Sequence, residues 1–211
     1  MCRKGLGFFS TDLELLFQQG VALREMGDVA GAAASWERCL ESSPGAHFAS
    51  VNTGLRGHIT RHNLAAAYRD LGRTKDAETH WRAALKERPQ YDPAWRGLAN
   101  LYLEAQRWQG LESLADLLES GMHGALAAAC VRGRMYLIRR QFVTAKEGLK
   151  QAIGRFPQAL EPRVLLSHVL LQEAKDWSAA GQALRDILAL DPANLEAKHN
   201  LAVLREQWAT I

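Results

Sequence analysis

A period of 34 residues constrains this chain more than any single motif does. It is set by the stretch His62 to Pro89, HNLAAAYRDLGRTKDAETHWRAALKERP. Leu64, Ala65, Tyr68 and Leu71 recur at helical spacing, and Gly72 closes that helix. Ala77, Trp81, Ala84 and Leu85 then restart the same period until Pro89 stops it. The spacing predicts a helix, a tight turn and a second, antiparallel helix. With the first position of the unit at His58, steps of 34 land on Asp92, Leu126 and Leu160. From Asp92 the matching positions are Trp95, Leu98, Ala99 and Tyr102; from Leu126 they include Gly133, Tyr136, Ala145, Ala152 and Pro157. The unit from Leu160, with Leu166, Ser167 and Leu170, takes one extra residue in its turn to bring Ala180, Leu184 and Pro192 into register.

The order Leu-Ala, Tyr, Gly, Ala, Trp, Ala-Leu, Pro at these separations resembles the tetratricopeptide repeat, a helical hairpin of about 34 residues. The resemblance implies an all-α, right-handed superhelical solenoid. Five hairpins are expected, over about 13–46, 58–91, 92–125, 126–159 and 160–194, in a single domain of residues 1–211. The first carries Phe17, Gly20, Leu23, Gly27, Ala32, Trp36, Leu40 and Pro44, and starts 45 residues before the second. An 11-residue insertion at about 46–57 accounts for the difference. Within it Gly54 and Gly57 bracket Leu55-Arg56, a composition for a bent, close-packed connection. The third unit is degenerate: Leu111 fills the small position and Ala115 the aromatic one, and Gly121 and Gly124 stand where a proline would end the helix. Its stripe of Leu111, Leu114, Leu117 and Leu118 still predicts a helix. The tail His199-Asn200-Leu201-Ala202 copies His62-Asn63-Leu64-Ala65, so residues 195–211 are expected to form one capping helix.

Composition excludes several classes. Net charge is +3, and Arg and Lys alternate with Asp and Glu instead of clustering, which does not fit a nucleic-acid binder. Cys2, Cys39 and Cys130 are odd in number and lack CxxC spacing, so neither a disulfide framework nor a zinc site is expected. Arg3-Lys4 before GLGFF resembles the start of a signal peptide, but Asp12 and Glu14 cut the apolar run short, and a cytoplasmic protein with no membrane partner is expected. No phosphate loop, HExxH or GxSxG is present, and no enzyme activity or cofactor is expected. His58 and His62 stand four apart, the spacing of a two-ligand metal face, yet a third ligand is lacking and packing histidines are the simpler reading.

In tetratricopeptide proteins the first helix of each hairpin lines a groove. By that resemblance the facing positions here are His62, Asn63, Arg69, Arg96, Asn100, Arg134 and His168. Asparagine and arginine offer several donors to a peptide backbone or carboxylate, so the expected partner is a protein or peptide segment, extended and acidic. The carboxylate clamp of some family members is not expected, because Phe17, Val21, Pro93 and Gly97 occupy its positions and only Asn63 agrees. The segment Phe48 to Arg73 also resembles part of the repeat region that follows the catalytic domain in bacterial family 2 glycosyltransferases. That resemblance implies a non-catalytic accessory region, and the start MCRKGLGFF, running almost directly into a repeat, fits a piece or a split gene.

Overall fold

The computed structural model describes residues 12–42, 53–121 and 124–209. Cys2, the Arg3-Lys4 pair and residues 46–52 of the expected insertion lie outside them. Eleven α-helices and one short 3-10 turn, and no strand, are found among the described residues. They are α1 (Leu13–Glu25), α2 (Val29–Glu41), the 3-10 turn (Thr53–Arg56), α3 (His58–Asp70), α4 (Thr74–Glu87), α5 (Asp92–Glu104), α6 (Trp108–Glu119), α7 (Ala125–Ile138), α8 (Phe142–Arg155), α9 (Glu161–Glu173), α10 (Trp177–Leu190) and α11 (Leu195–Ala209). Contacts divide the chain into two compact units, Met1–Gln106 and Arg107–Ile211.

Helix starts follow local chemistry. Asp12, Asp28 and Asp176 each accept a backbone N–H from the first turn they cap, at 2.8 to 2.9 Å. Pro93 and Pro162 sit in the opening turns of α5 and α9, where a missing N–H costs nothing. The turns after α1, α3, α5, α7 and α9 share one backbone device: a residue of positive φ just past the helix. Gly27 (φ 84°) and Gly72 (φ 76°) fill it without strain, whereas Gln106, Arg140 and Ala174 hold φ near 51° to 55° with a Cβ attached. In the last of these turns Lys175 stands between the left-handed Ala174 and the N-cap Asp176, where the other turns have no intervening residue; this is the extra residue read from the sequence. Ala174→Gly is therefore expected to raise stability by about 0.5–1 kcal/mol, seen as a higher denaturant midpoint with unchanged slope.

In the first unit α1 pairs with α2 and α3 with α4, and α5 packs against both α3 and α4. Large side chains seat against missing ones. Trp36 and Trp81 are 1% exposed. A Cβ at Gly20 would lie 2.4 Å from the Trp36 ring, and one at Gly97 would lie 2.4 Å from the Trp81 ring. Ala32, Ala65, Ala77 and Ala84, all fully buried, hold the helices of each hairpin close. Leu55 of the 3-10 turn is buried too, and its carbonyl accepts the hydroxyl of buried Thr60, so the bracketed Leu55-Arg56 packs onto α3.

The second unit pairs α7 with α8 and α9 with α10, with α6 against α7 and α11 against α10. Leu149 takes the indole position, and a Cβ at Gly133 would lie 2.7 Å from it. Leu111 and Ala115 of the degenerate repeat are fully buried, as are Leu114 and Leu118 to within a few per cent, but Leu117 is half exposed. Gly121 donates to the Leu118 carbonyl and Gly124 caps α7, so the two glycines make the link in place of a proline. Cys39 and Cys130 are buried thiols, the former pushed up to about 12 by burial, with Arg38 opposing. That places them in the core as small apolar side chains.

Candidate functional site

Alternation of buried and half-exposed residues on the first helices defines the strips that a ligand would meet. On α5 the half-exposed positions are Pro93, Arg96, Asn100 and Leu103, spaced three, four and three apart, so they form one line along the helix. On the neighbouring α3 the counterparts one period earlier are Ile59, His62, the buried Ala66 and Arg69, and Asn63 is half-exposed next to His62. In the second unit Arg134 stands on α7 and His168 on α9, both half-exposed.

The expected residues differ in how far the fold already uses them. Nδ1 of His62 accepts the Trp81 indole N–H at 3.1 Å, and its ring meets the edge of Tyr91. Burial, then the charges of Arg24 and Arg69, hold its pKa below the usual histidine value, so the neutral form is kept. His58 also packs on Tyr91, at 4.7 Å between ring centroids, which makes both histidines aromatic packing partners at the α3–α5 junction. Among the described residues no group of three or more His, Cys, Asp or Glu is arranged for a metal ion.

The Asn63 side chain donates weakly, at 3.2 Å, to the Ile59 carbonyl of its own helix, and the side chain of Asn100 makes no hydrogen bond among the described residues. Arg69 pairs with Asp70 at 3.2 Å. Arg96 lies over the Trp95 ring, 4.4 Å from its centroid, and pairs with Asp92 one turn earlier at 2.6 Å.

Arg134 and His168 follow a rule that the sequence reading missed. Arg134 reaches Glu161 at the start of α9 (3.0 Å), and His168 reaches Glu196 at the start of α11 (2.8 Å). Lys146 and Glu173 pair across α8 and α9 in the same way, at 2.6 Å. All three pairs span 27 or 28 residues, so opposite charges at that offset within a 34-residue period are the signal that would have found them. The Arg134 and His168 pairs are partly exposed and tie neighbouring elements at modest gain, whereas the Glu173 carboxylate is buried against Lys146.

A second interlock repeats with the period. The hydroxyl of Tyr68 donates to Glu37 on α2, and that of Tyr102 donates to Glu78 on α4 at 2.7 Å. Burial first, then those bonds to a carboxylate, push both tyrosines up to about 12. Their protons are thus held in the folded chain after an unfolded one, titrating near 10, has released its own. The unfolded state then binds fewer protons, so stability is full below about pH 10 and falls as pH rises toward 12. Alkaline melts should show this decline, and Tyr68→Phe should flatten it.

The family models for the tetratricopeptide repeat match residues 14–46 and 60–101. Among solved structures the chain is similar to TTC0263, a thermophilic TPR protein in Thermus thermophilus, at 19% identity over 92% of this chain and 98% of that one, with a TM-score of 0.58. It is similar also to a tetratricopeptide repeat protein from Parabacteroides merdae, at 16% identity over 93% of this chain and 73% of that one, with a TM-score of 0.61. A third is YrrB, described as a TPR protein with an unusual peptide-binding site, at 13% identity over 94% and 96% of the two chains, with a TM-score of 0.50. No curated protein matches the chain. None of these matches lends support to the glycosyltransferase resemblance of residues 48–73, of which 48–52 lie outside the described residues. Residues 14–46 and 60–101 are thus tetratricopeptide repeats, and the chain has the helical-hairpin fold of tetratricopeptide-repeat proteins.

Proposed function

We propose that the chain is a protein-interaction scaffold that binds an extended partner segment along the half-exposed strips of its first helices. The observation that supports this best is the strip on α5. There the side-chain amide of Asn100, with no hydrogen bond among the described residues, lies between Arg96 and the apolar Leu103, and Asn63 and Ile59 stand half-exposed on α3. A side-chain amide can donate to one peptide carbonyl and accept from one peptide N–H, which is how a strand-like ligand is held without reading its sequence. Ile59, Pro93 and Leu103 then offer the apolar contacts that such a ligand needs beside its backbone bonds.

In the first unit acidic side chains of a ligand meet Arg69 and Arg96, and in the second unit, taken by itself, the residues offered are Arg134 and His168; each already faces a carboxylate of its own. A ligand carboxylate therefore replaces an internal partner, so the gain from charge is a difference between two similar contacts. Backbone capture by Asn63 and Asn100 carries the affinity, and charge sets the preference and the salt dependence. Within the described residues no helix is long and apolar enough to cross a membrane.

Selection of a displayed random-peptide library on the full chain tests the reading. Recovered peptides should be extended and enriched in Asp and Glu. Asn63→Ala with Asn100→Ala should weaken them at least tenfold, and Arg96→Ala with Arg134→Ala should weaken them chiefly at low salt. Neither double change should move the thermal midpoint by more than a few degrees. Recovery of peptides whose binding ignores all four residues would place recognition elsewhere.

A further inference from the structure

Arg24 and Arg69 hold the same position in the first two repeats, whose starts are 45 residues apart, and both turn to one carboxylate. Nη2 of Arg24 donates to Oδ2 of Asp70 at 2.8 Å, and Nη2 of Arg69 donates to Oδ1 at 3.2 Å. Two cations thus share one anion where α1 meets the end of α3. Each guanidinium keeps further N–H donors, because Asp70 takes a hydrogen from a single nitrogen of each. Glu25, next to Arg24, is exposed and pairs with neither arginine among the described residues. One period beyond Arg69 stands Leu103, so α5 does not repeat the arrangement.

His62 stands two helical turns before Arg69 on the same face of α3. Its Nδ1 accepts the Trp81 indole N–H at 3.1 Å, so the neutral ring carries its proton on Nε2. One repeat earlier the counterpart of His62 is Phe17, and there the Trp36 indole turns to the Phe17 backbone carbonyl, at 3.3 Å. Nε2 of His62 has no partner among the described residues. The buried side-chain polar atom left unpaired among them is Nδ1 of His80, so the His62 Nε2–H opens to solvent. Burial first, then the positive charges of Arg24 and Arg69, keep this ring neutral, and no carboxylate is among the groups that act on it.

We infer that the junction of α1 and α3 is a subsite for one carboxylate of the bound partner segment, held by Arg24 and Arg69 and by the Nε2–H of His62. It rests on the reading that the first helices bind such a segment, and it names the acidic group that the ligand places beside Asn63. A carboxylate has two oxygens, which can accept from a guanidinium and from an imidazole N–H together. Two cations against one anion leave a single positive charge in excess, which matches a monoanion and not a phosphate dianion. None of the three donors stands at a position of the carboxylate clamp.

The test titrates the full chain, labelled with nitrogen-15, with sodium acetate and with sodium chloride at equal ionic strength. Acetate should move the Nε–H signals of Arg24 and Arg69 and the Nε2 signal of His62, and chloride should not. Long-range nitrogen–proton correlations should place the His62 proton on Nε2. Asp70→Asn, which removes the competing carboxylate, should tighten acetate about fivefold, and Arg24→Gln and Arg69→Gln should each weaken it about as much. The inference is overturned if acetate and chloride act alike, if the His62 proton lies on Nδ1, if Asp70→Asn fails to tighten binding, or if neither arginine change weakens it. Phosphate that binds more than tenfold tighter than acetate would also overturn it, in favour of a phosphorylated ligand. Acetate has no peptide backbone, so selected peptides that ignore Asn63 and Asn100 would sink the strip reading without altering these results.

Discussion

Trp81→Ala should cost about 3–5 kcal/mol of stability, the range for deleting a buried tryptophan. The indole is 1% exposed, so nearly all of its surface is removed from water by neighbours on α3, α4 and α5. Two effects add to the lost burial. The void cannot collapse readily, because the residue that faces it from α5 is Gly97, which has no side chain to move in. The second effect falls on His62, whose half-buried Nδ1 loses the indole N–H that it accepts at 3.1 Å. Chemical denaturation with circular dichroism measures the cost, and Trp81→Phe should recover part of the packing but not the hydrogen bond. A loss below about 1 kcal/mol for Trp81→Ala would mean that the hairpins are not held at this point.

Gly97→Val attacks the same contact from the other side. A Cβ there falls 2.4 Å from the ring, well inside contact distance, and the ring has no solvent-facing side to retreat toward. Overpacking of this kind costs about 1–3 kcal/mol, and this case belongs at the upper end because both partners sit on helices fixed by other contacts. The mechanism makes a further demand. In a Trp81→Leu background, where the ring is gone, Gly97→Val should cost much less, giving a coupling of at least about 1 kcal/mol between the two positions. Additive costs would show that the valine disturbs α5 for some other reason.

The helices were legible in the sequence because large, small and aromatic residues recur at fixed offsets, and such recurrence survives loss of any one residue. Leu111 and Ala115 illustrate this: both depart from the pattern, both are fully buried, and α6 forms around them. The turns were legible only where glycine marks them. Gln106, Arg140 and Ala174 adopt the same left-handed backbone because the helices on either side fix the chain direction, and residue type alone does not reveal that. Gly97 showed the same limit. Its role depends on an indole 16 residues away, across the link from α4 to α5, and a one-dimensional pattern shows the two without joining them.

Site residues were harder still. A polar residue on a first helix reads the same whether it waits for a ligand or ties two hairpins together. Arg134 and His168 tie hairpins through Glu161 and Glu196, and His62 serves an indole, while Asn100 is left without a bond among the described residues.

The central claim, that partner segments are held by the strips of the first helices, is tested most directly by mapping where a selected peptide binds. Nitrogen-15 amide shifts of the full chain, titrated with a library-selected acidic peptide, should concentrate on α3 and α5 around Asn63 and Asn100. Shifts confined to the second helices α4, α8 and α10, with the amides of α3 and α5 unmoved, would contradict it.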